Sequence, residues 1–155
     1  GVINVITKNP SEQPMFSADV MTTTMEEVFA NIAFAPELGK SNGYIGLNLN
    51  YVNNYQDIND DGFGDGVNTD VISLFSKFNI YRPSDKIFTI AAKYYYEDRR
   101  NGVEAFVKDR GYRQLRGSDE IYGESIYTNR VELFGTYALN TSESMKIDYS
   151  LSNHL

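Results

Sequence analysis

The chain contains no cysteine, no tryptophan and a single histidine. Without cysteine there is no disulfide framework, no thiol nucleophile and no cysteine-based metal site. The one histidine, His154, stands one residue from the end of the chain, so a His/Asp/Ser triad is not expected, and a His-rich zinc site cannot be assembled. No run of 18 apolar residues occurs, so no segment reads as a membrane-crossing helix. Crossing strands are not excluded, because their alternating hydropathy averages out. Positive charge is also scarce: 14 Lys and Arg against 21 Asp and Glu give a formal charge of −7. With no basic stripe to neutralise phosphates, a nucleic-acid partner is disfavoured. Adjacent acids occur at Glu26 with Glu27, Asp60 with Asp61, and Asp119 with Glu120. In turns such pairs are normally solvated. Gly62-Phe63-Gly64 lacks the following helix that a phosphate-binding loop needs. An enzyme is the least supported class.

What is present is alternation. Ile45, Leu47, Leu49 and Tyr51 oppose Asn48 and Asn50; Val131, Leu133, Tyr137 and Leu139 oppose Thr128, Arg130, Glu132 and Thr136; Met145, Ile147, Tyr149 and Leu151 oppose Lys146, Asp148, Ser150 and Ser152. Period two places successive side chains on opposite faces of a strand. Strands are expected over about residues 16–23, 28–35, 44–55, 70–81, 86–97, 125–139 and from 145 onward. Phe75 is out of pattern, on the polar side with Ser73, Lys77 and Asn79. Tyr (12) and Phe (9) are abundant, which suits strands and membrane interfaces. Strands of about 12 residues exceed the globular norm and suit a tilted membrane crossing. The links are sorted by length. Residues 36–43, 82–85 and 140–144 make short turns, whereas 56–69 and 98–124 are long, as in outer-membrane barrels. The last of these holds a short strand-like piece near 103–107. The basic cluster Lys108, Arg110, Arg113 and Arg116 reads as a solvated loop.

One loop carries a metal-like pattern. Asp57, Asn59, Asp61 and Asp65 occupy relative positions 1, 3, 5 and 9, with Gly62 at position 6 and the carbonyl of Phe63 at position 7. Hard oxygens at this spacing wrap one Ca²⁺. Position 12 is Asn68 rather than the bidentate Glu of an EF-hand, so the loop is closer to the short Asp-rich calcium loops of dockerins and thrombospondin repeats. An acidic hairpin that binds nothing is the plain alternative. Asp60 is expected to point away.

The opening Gly1-Val2-Ile3-Asn4-Val5-Ile6-Thr7-Lys8 resembles the closing plug strand of TonB-dependent outer-membrane receptors. Arg116-Gly117-Ser118-Asp119, Tyr122-Gly123-Glu124-Ser125-Ile126 and Thr128-Asn129-Arg130-Val131-Glu132-Leu133 are similar to the entry into a barrel strand in such receptors of the vitamin B12 and ferric-siderophore type, Bacteroidetes above all. The resemblance implies an all-β antiparallel meander forming part of a transmembrane β-barrel of about 22 strands. Residues 1–9 would end the plug domain and 10–155 would supply about the first seven barrel strands. Because the chain starts and stops inside strand-like runs, it reads as a fragment. The implied function is energy-coupled uptake of a scarce nutrient, a ferric siderophore or cobalamin-type ligand, across the Gram-negative outer membrane. Its partners would be outer-membrane lipid, TonB acting through an upstream segment, and a small-molecule or metal-chelate substrate. Ile45, Leu47, Leu49, Phe88, Ile90, Leu133, Tyr137, Ile147 and Tyr149 are then expected to face lipid, and Asn48, Asn50, Lys93, Arg130 and Glu132 the lumen. Two other classes stay open: a non-transporting outer-membrane barrel (adhesin or porin), and a soluble calcium-binding β-domain.

Overall fold

Period-two alternation becomes a single antiparallel sheet. The computed structural model describes residues 7–83, 86–108, 111–115, 117, 119, 121–139 and 146–154. Seven strands pair in sequence order: β1 (Phe16–Thr22), β2 (Glu27–Phe34), β4 (Ser41–Val52), β5 (Asn68–Arg82), β6 (Lys86–Gly102), β7 (Gly123–Ala138) and β8 (Lys146–His154). A two-residue strand, β3 (Glu37–Leu38), pairs with the start of β4. The sheet is open, with β1 and β8 at its edges, so the meander is present and a closed barrel is not.

The strands fall where alternation places them, but β5, β6 and β7 run to 15, 17 and 16 residues. The excess lies at the end bearing the long links. There Asp98 and Arg100 continue β6 although they break the apolar pattern, because their backbones stay paired and their side chains are covered. The covering segment is helical. After a single bridge between Val103 and Phe63 come α1 (Glu104–Val107) and α2 (Tyr112–Leu115). The strand-like piece expected at 103–107 is therefore a helical turn beyond its first residue. Phe106, Val107 and Tyr112 form a small core with Tyr55, Val103, Leu115 and Ile121 packed against it. Phe106 closes over Gly123, and Gly102, at φ 146°, lies against the Gly123 backbone. A side chain at Gly123 would push Phe106 and its segment off the sheet, and one at Gly102 would collide with the backbone of Tyr122 and Gly123.

The N-terminal stretch reaches the sheet through a 3-10 turn, Pro10–Glu12, capped by Asn9, with Pro10 buried. It packs against β4 and β5. The expected plug strand over residues 1–6 and the turn over 140–144 lie outside the described residues, as do Arg110, Arg116, Ser118 and Met145.

Among the described residues the buried hydrophobics are only Ala35, Ala91, Phe106, Val107 and Tyr112. Among the described residues no layer covers the middle of either face of the sheet, so its large apolar side chains remain accessible.

Candidate functional site

In an antiparallel sheet, directly paired residues share a face, so the register carries each strand's two faces across the whole sheet. Ile32, Leu47, Leu74, Tyr94 and Val131 form one continuous row, and Phe34, Ile45, Ser76, Ala92, Leu133 and Leu151 another two residues away. Phe88, Ile90, Tyr137, Ile147 and Tyr149 lie on the same face. All nine residues expected on the apolar side therefore share one face. Val20 and Leu151, each 68% exposed, belong to it as well.

This face is bounded by charge at both ends and carries none between. At one end stand Asp70 and Asp98, in register, with Arg100 beyond. At the other, Arg82 pairs with Lys86. Lys86 and Asp98 are twelve positions apart on β6. That is about 40 Å along a strand, or roughly 28–33 Å across a layer at a tilt of about 35–45°. Phe88 to Tyr96, the uncharged stretch, covers roughly 19–22 Å on the same basis. Aromatic rings mark both margins. Tyr51, Tyr96 and Tyr127 lie near the Asp98 end, with Tyr96 and Tyr127 edge to face at 5.8 Å. Phe88 and Tyr137 pair at 5.8 Å near the other end, with the Arg82 guanidinium 3.9 Å above the Tyr137 ring.

The opposite face is polar and curls into a trough of about 800 Å³. Asp19, Asn31, Asn48, Ser73, Lys93 and Glu132, from six different strands, all line it, which requires a strongly bent sheet. Asn48 donates to Asn31, which donates to Asp19 at 2.9 Å. A second ladder runs from Thr89 through Asn79 to Asn42, each bond 3.0 Å. Arg130 and Glu132 form an ion pair at 3.1 Å, with Lys93 directly opposite Glu132. Asn48, Asn50, Lys93, Arg130 and Glu132 thus share this face, as expected. Thr7 and Lys8 line the trough too, and the Lys77 ammonium donates to the Thr7 hydroxyl at 2.9 Å and to the Lys8 carbonyl at 3.4 Å.

At the end with the long links, an ionic clasp holds α1 and α2 on the sheet. Arg100, 2% exposed, bonds Asp70 at 3.1 Å and the Asn53 side chain at 2.7 Å. Asp98, fully buried, accepts from the Tyr112 hydroxyl and from Arg113 at 3.2 Å. Burial first, and then the bond to Asp98, push the Tyr112 phenol above its ordinary value. Sequence reasoning missed this cluster, and Arg113 is tied down rather than simply solvated. Lys108 does fit the solvated reading, in an exposed ion pair with Glu104.

The Asp-rich loop folds around its own carboxylates. Asp57 accepts from the amides of Asp61 at 3.2 Å and Gly62 at 2.8 Å. Asn59 donates to Asp61, and Asp65 accepts from the Ile58 amide at 2.6 Å. Gly62, at φ 86°, takes the left-handed turn the motif calls for. Asp60, also left-handed at φ 56°, is exposed. Phe63 bridges to Val103 and packs against Tyr122, with the ring centroids 5.2 Å apart and the planes tilted by 50°. The donors are hard oxygens, suited to Ca²⁺. Among the described residues no three acidic or histidine side chains converge as a metal-ligand group. Compared with known proteins, the chain matches no family model, no curated protein and no solved structure.

Proposed function

We propose that this chain is part of a TonB-dependent outer-membrane receptor, contributing the end of the plug and the first strands of the barrel wall. The observation that carries this reading is the charge-free face of β1 to β8, bounded by Arg82 with Lys86 and by Asp70 with Asp98. Its span of roughly 20–30 Å brackets the apolar band of about 25 Å on outer-membrane barrels, and aromatic rings sit at both margins as girdles do there. On this reading acyl chains cover the exposed side chains, the trough is the inner wall, and the long links face outward. A soluble domain would leave this face in water, where so large an apolar surface favours aggregation. A passive barrel is less well supported, because Thr7 and Lys8 sit on the trough side against Lys77. The substrate class is a bulky, scarce nutrient such as a ferric siderophore or cobalamin-type ligand. The Asp-rich loop is proposed as a weak external Ca²⁺ site.

Spin labels at Leu47 and at its neighbour Asn48 in the intact protein test the sidedness. Label 47 should respond to oxygen dissolved in lipid and label 48 to an aqueous relaxant. Label 47 responding mainly to the aqueous relaxant overturns the membrane assignment. Uptake of a labelled ferric chelate or cobalamin that persists after the proton gradient is collapsed overturns energy coupling while leaving the membrane assignment standing.

A further inference from the structure

The two margins of the apolar face differ in charge. Among the described residues the strands carry charge on that face only at Asp70, Asp98 and Arg100 at one end, and at Arg82 and Lys86 at the other. At the first end the charges are matched. Arg100 lies 3.1 Å from Asp70 and 3.9 Å from Asp98, and Arg113 from α2 meets Asp98 at 3.2 Å. Two carboxylates face two guanidiniums, so that margin is neutral. At the second end Arg82 and Lys86 are directly paired across the β5–β6 hairpin, and among the described residues neither meets a carboxylate. Arg82 leans across β6 to β7. Its guanidinium donates to the Tyr137 hydroxyl and to the Ala138 carbonyl, each at 2.6 Å. These acceptors are neutral, so they fix the cation in place and leave its charge uncompensated. Ile80, Tyr137 and Ile147 stand beside it on the same face, 40%, 37% and 51% exposed. Two fixed cations at the edge of an apolar surface complement a molecule with an anionic head and apolar chains. We propose that Arg82 and Lys86 dock the phosphate of an anionic phospholipid of the phosphatidylglycerol type, whose acyl chains lie along Phe88, Tyr137 and Ile147. A zwitterionic headgroup brings its own cation, which the pair repels; a net-anionic one does not. The proposal rests on the membrane reading and names the lipid that one margin selects. The chain as a whole does not attract such a lipid, since its formal charge is −7. The preference is therefore local and set by the pair.

The chain has no tryptophan, so Ile147→Trp adds one reporter beside the pair, and Tyr127→Trp adds one at the opposite margin. Each variant of the intact protein is placed in equimolar phosphatidylcholine and phosphatidylglycerol vesicles, with bromine on the chains of one lipid or of the other. The fluorescence of the parent protein is subtracted. Both vesicles have the same lipid proportions, so the two quenching values compare which lipid stands at the reporter. One basic residue near the surface is worth a factor of roughly five in association with anionic lipid. At position 147 brominated phosphatidylglycerol should therefore be favoured at least about threefold, and at position 127 it should not be favoured. Lys86→Gln, which leaves the Arg82 bonds in place, should lower the ratio at 147, and Arg82→Gln with Lys86→Gln should abolish the preference. A ratio at 147 below that threshold overturns the proposal. So does an equal preference at 127, or a preference that survives the double substitution. In each of these outcomes, quenching at 147 by both lipids leaves the membrane reading standing. Quenching at 147 by neither lipid removes the membrane reading and this proposal with it.

Discussion

Leu133→Arg offers the most direct measure of how deep the apolar face lies. Leu133 pairs with Ala92, which is six positions from Lys86 and six from Asp98. Six positions are about 20 Å of strand, or roughly 14–16 Å of depth from either charged margin. Leu133 is therefore at the middle of the charge-free face, and on the proposed membrane reading it is out of easy reach of water from either side. An arginine there should cost about 2–4 kcal/mol, a factor of roughly 30 to 1,000 in the folding equilibrium. Tyr127, in the row of Asp98, lies at the margin, and the same substitution there should cost about 0–1 kcal/mol. Ser152 is on the trough face opposite Glu132, where an arginine should change stability by no more than about 0.5 kcal/mol. Reversible denaturant titration of the intact protein in lipid vesicles reads all three. Equal costs at 133 and 127, or a cost below about 1 kcal/mol at 133, would refute the depth argument.

Arg100→Met should leave Asp70 and Asp98 facing each other without their shared cation, at about 3–5 kcal/mol to the segment over α1 and α2. Hydrogen exchange should show those amides losing protection while the middle of β6 keeps its own; unchanged protection contradicts the clasp. The Tyr112 phenol is raised above its ordinary value of 10, so the folded state favours the protonated form. Its contribution is fully present below pH 10 and is lost as pH rises, because the unfolded chain releases the proton first. Protection of the same segment should fall above about pH 10, with the fall smaller in Tyr112→Phe. Calorimetry with CaCl₂ should give a binding heat that disappears in Asp57→Ala with Asp61→Ala and persists in Asp60→Ala; a heat unchanged by the double substitution leaves the loop an ordinary acidic hairpin.

Much of this was legible in the residues. Alternation in 44–55, 125–139 and beyond 145 gave β4, β7 and β8 within a few residues, and it put the nine apolar residues on one face and Asn48, Asn50, Lys93, Arg130 and Glu132 on the other. Turn residues gave the meander order. The misses share a cause. β3 is too short to show a period, and α1 and α2, four residues each, are too short to show a helical one. The clasp joins Asn53, Asp70, Asp98, Arg100 and Tyr112, which are far apart in sequence and meet only through register. A signal for it did exist: Asp98 and Arg100 extend the apolar phase of β6, where uncovered charge would be costly. For the Asp-rich loop the spacing was legible and the turn at Gly62 follows it, while the side chains serve the loop's own amides.

The two long links are not independent. The Gly64 amide donates to the Gly102 carbonyl at 3.0 Å, and Phe63 touches both Val103 and Tyr122. Tyr55 donates to the Gly62 carbonyl at 3.3 Å while its ring packs on the Phe106 cluster. Opening either link therefore strips contacts from the other, and the pair behaves as one cooperative unit. Whatever orders the Asp-rich turn must slow the opening of α1 and α2, and by linkage whatever secures those helices must tighten the turn by the same free energy.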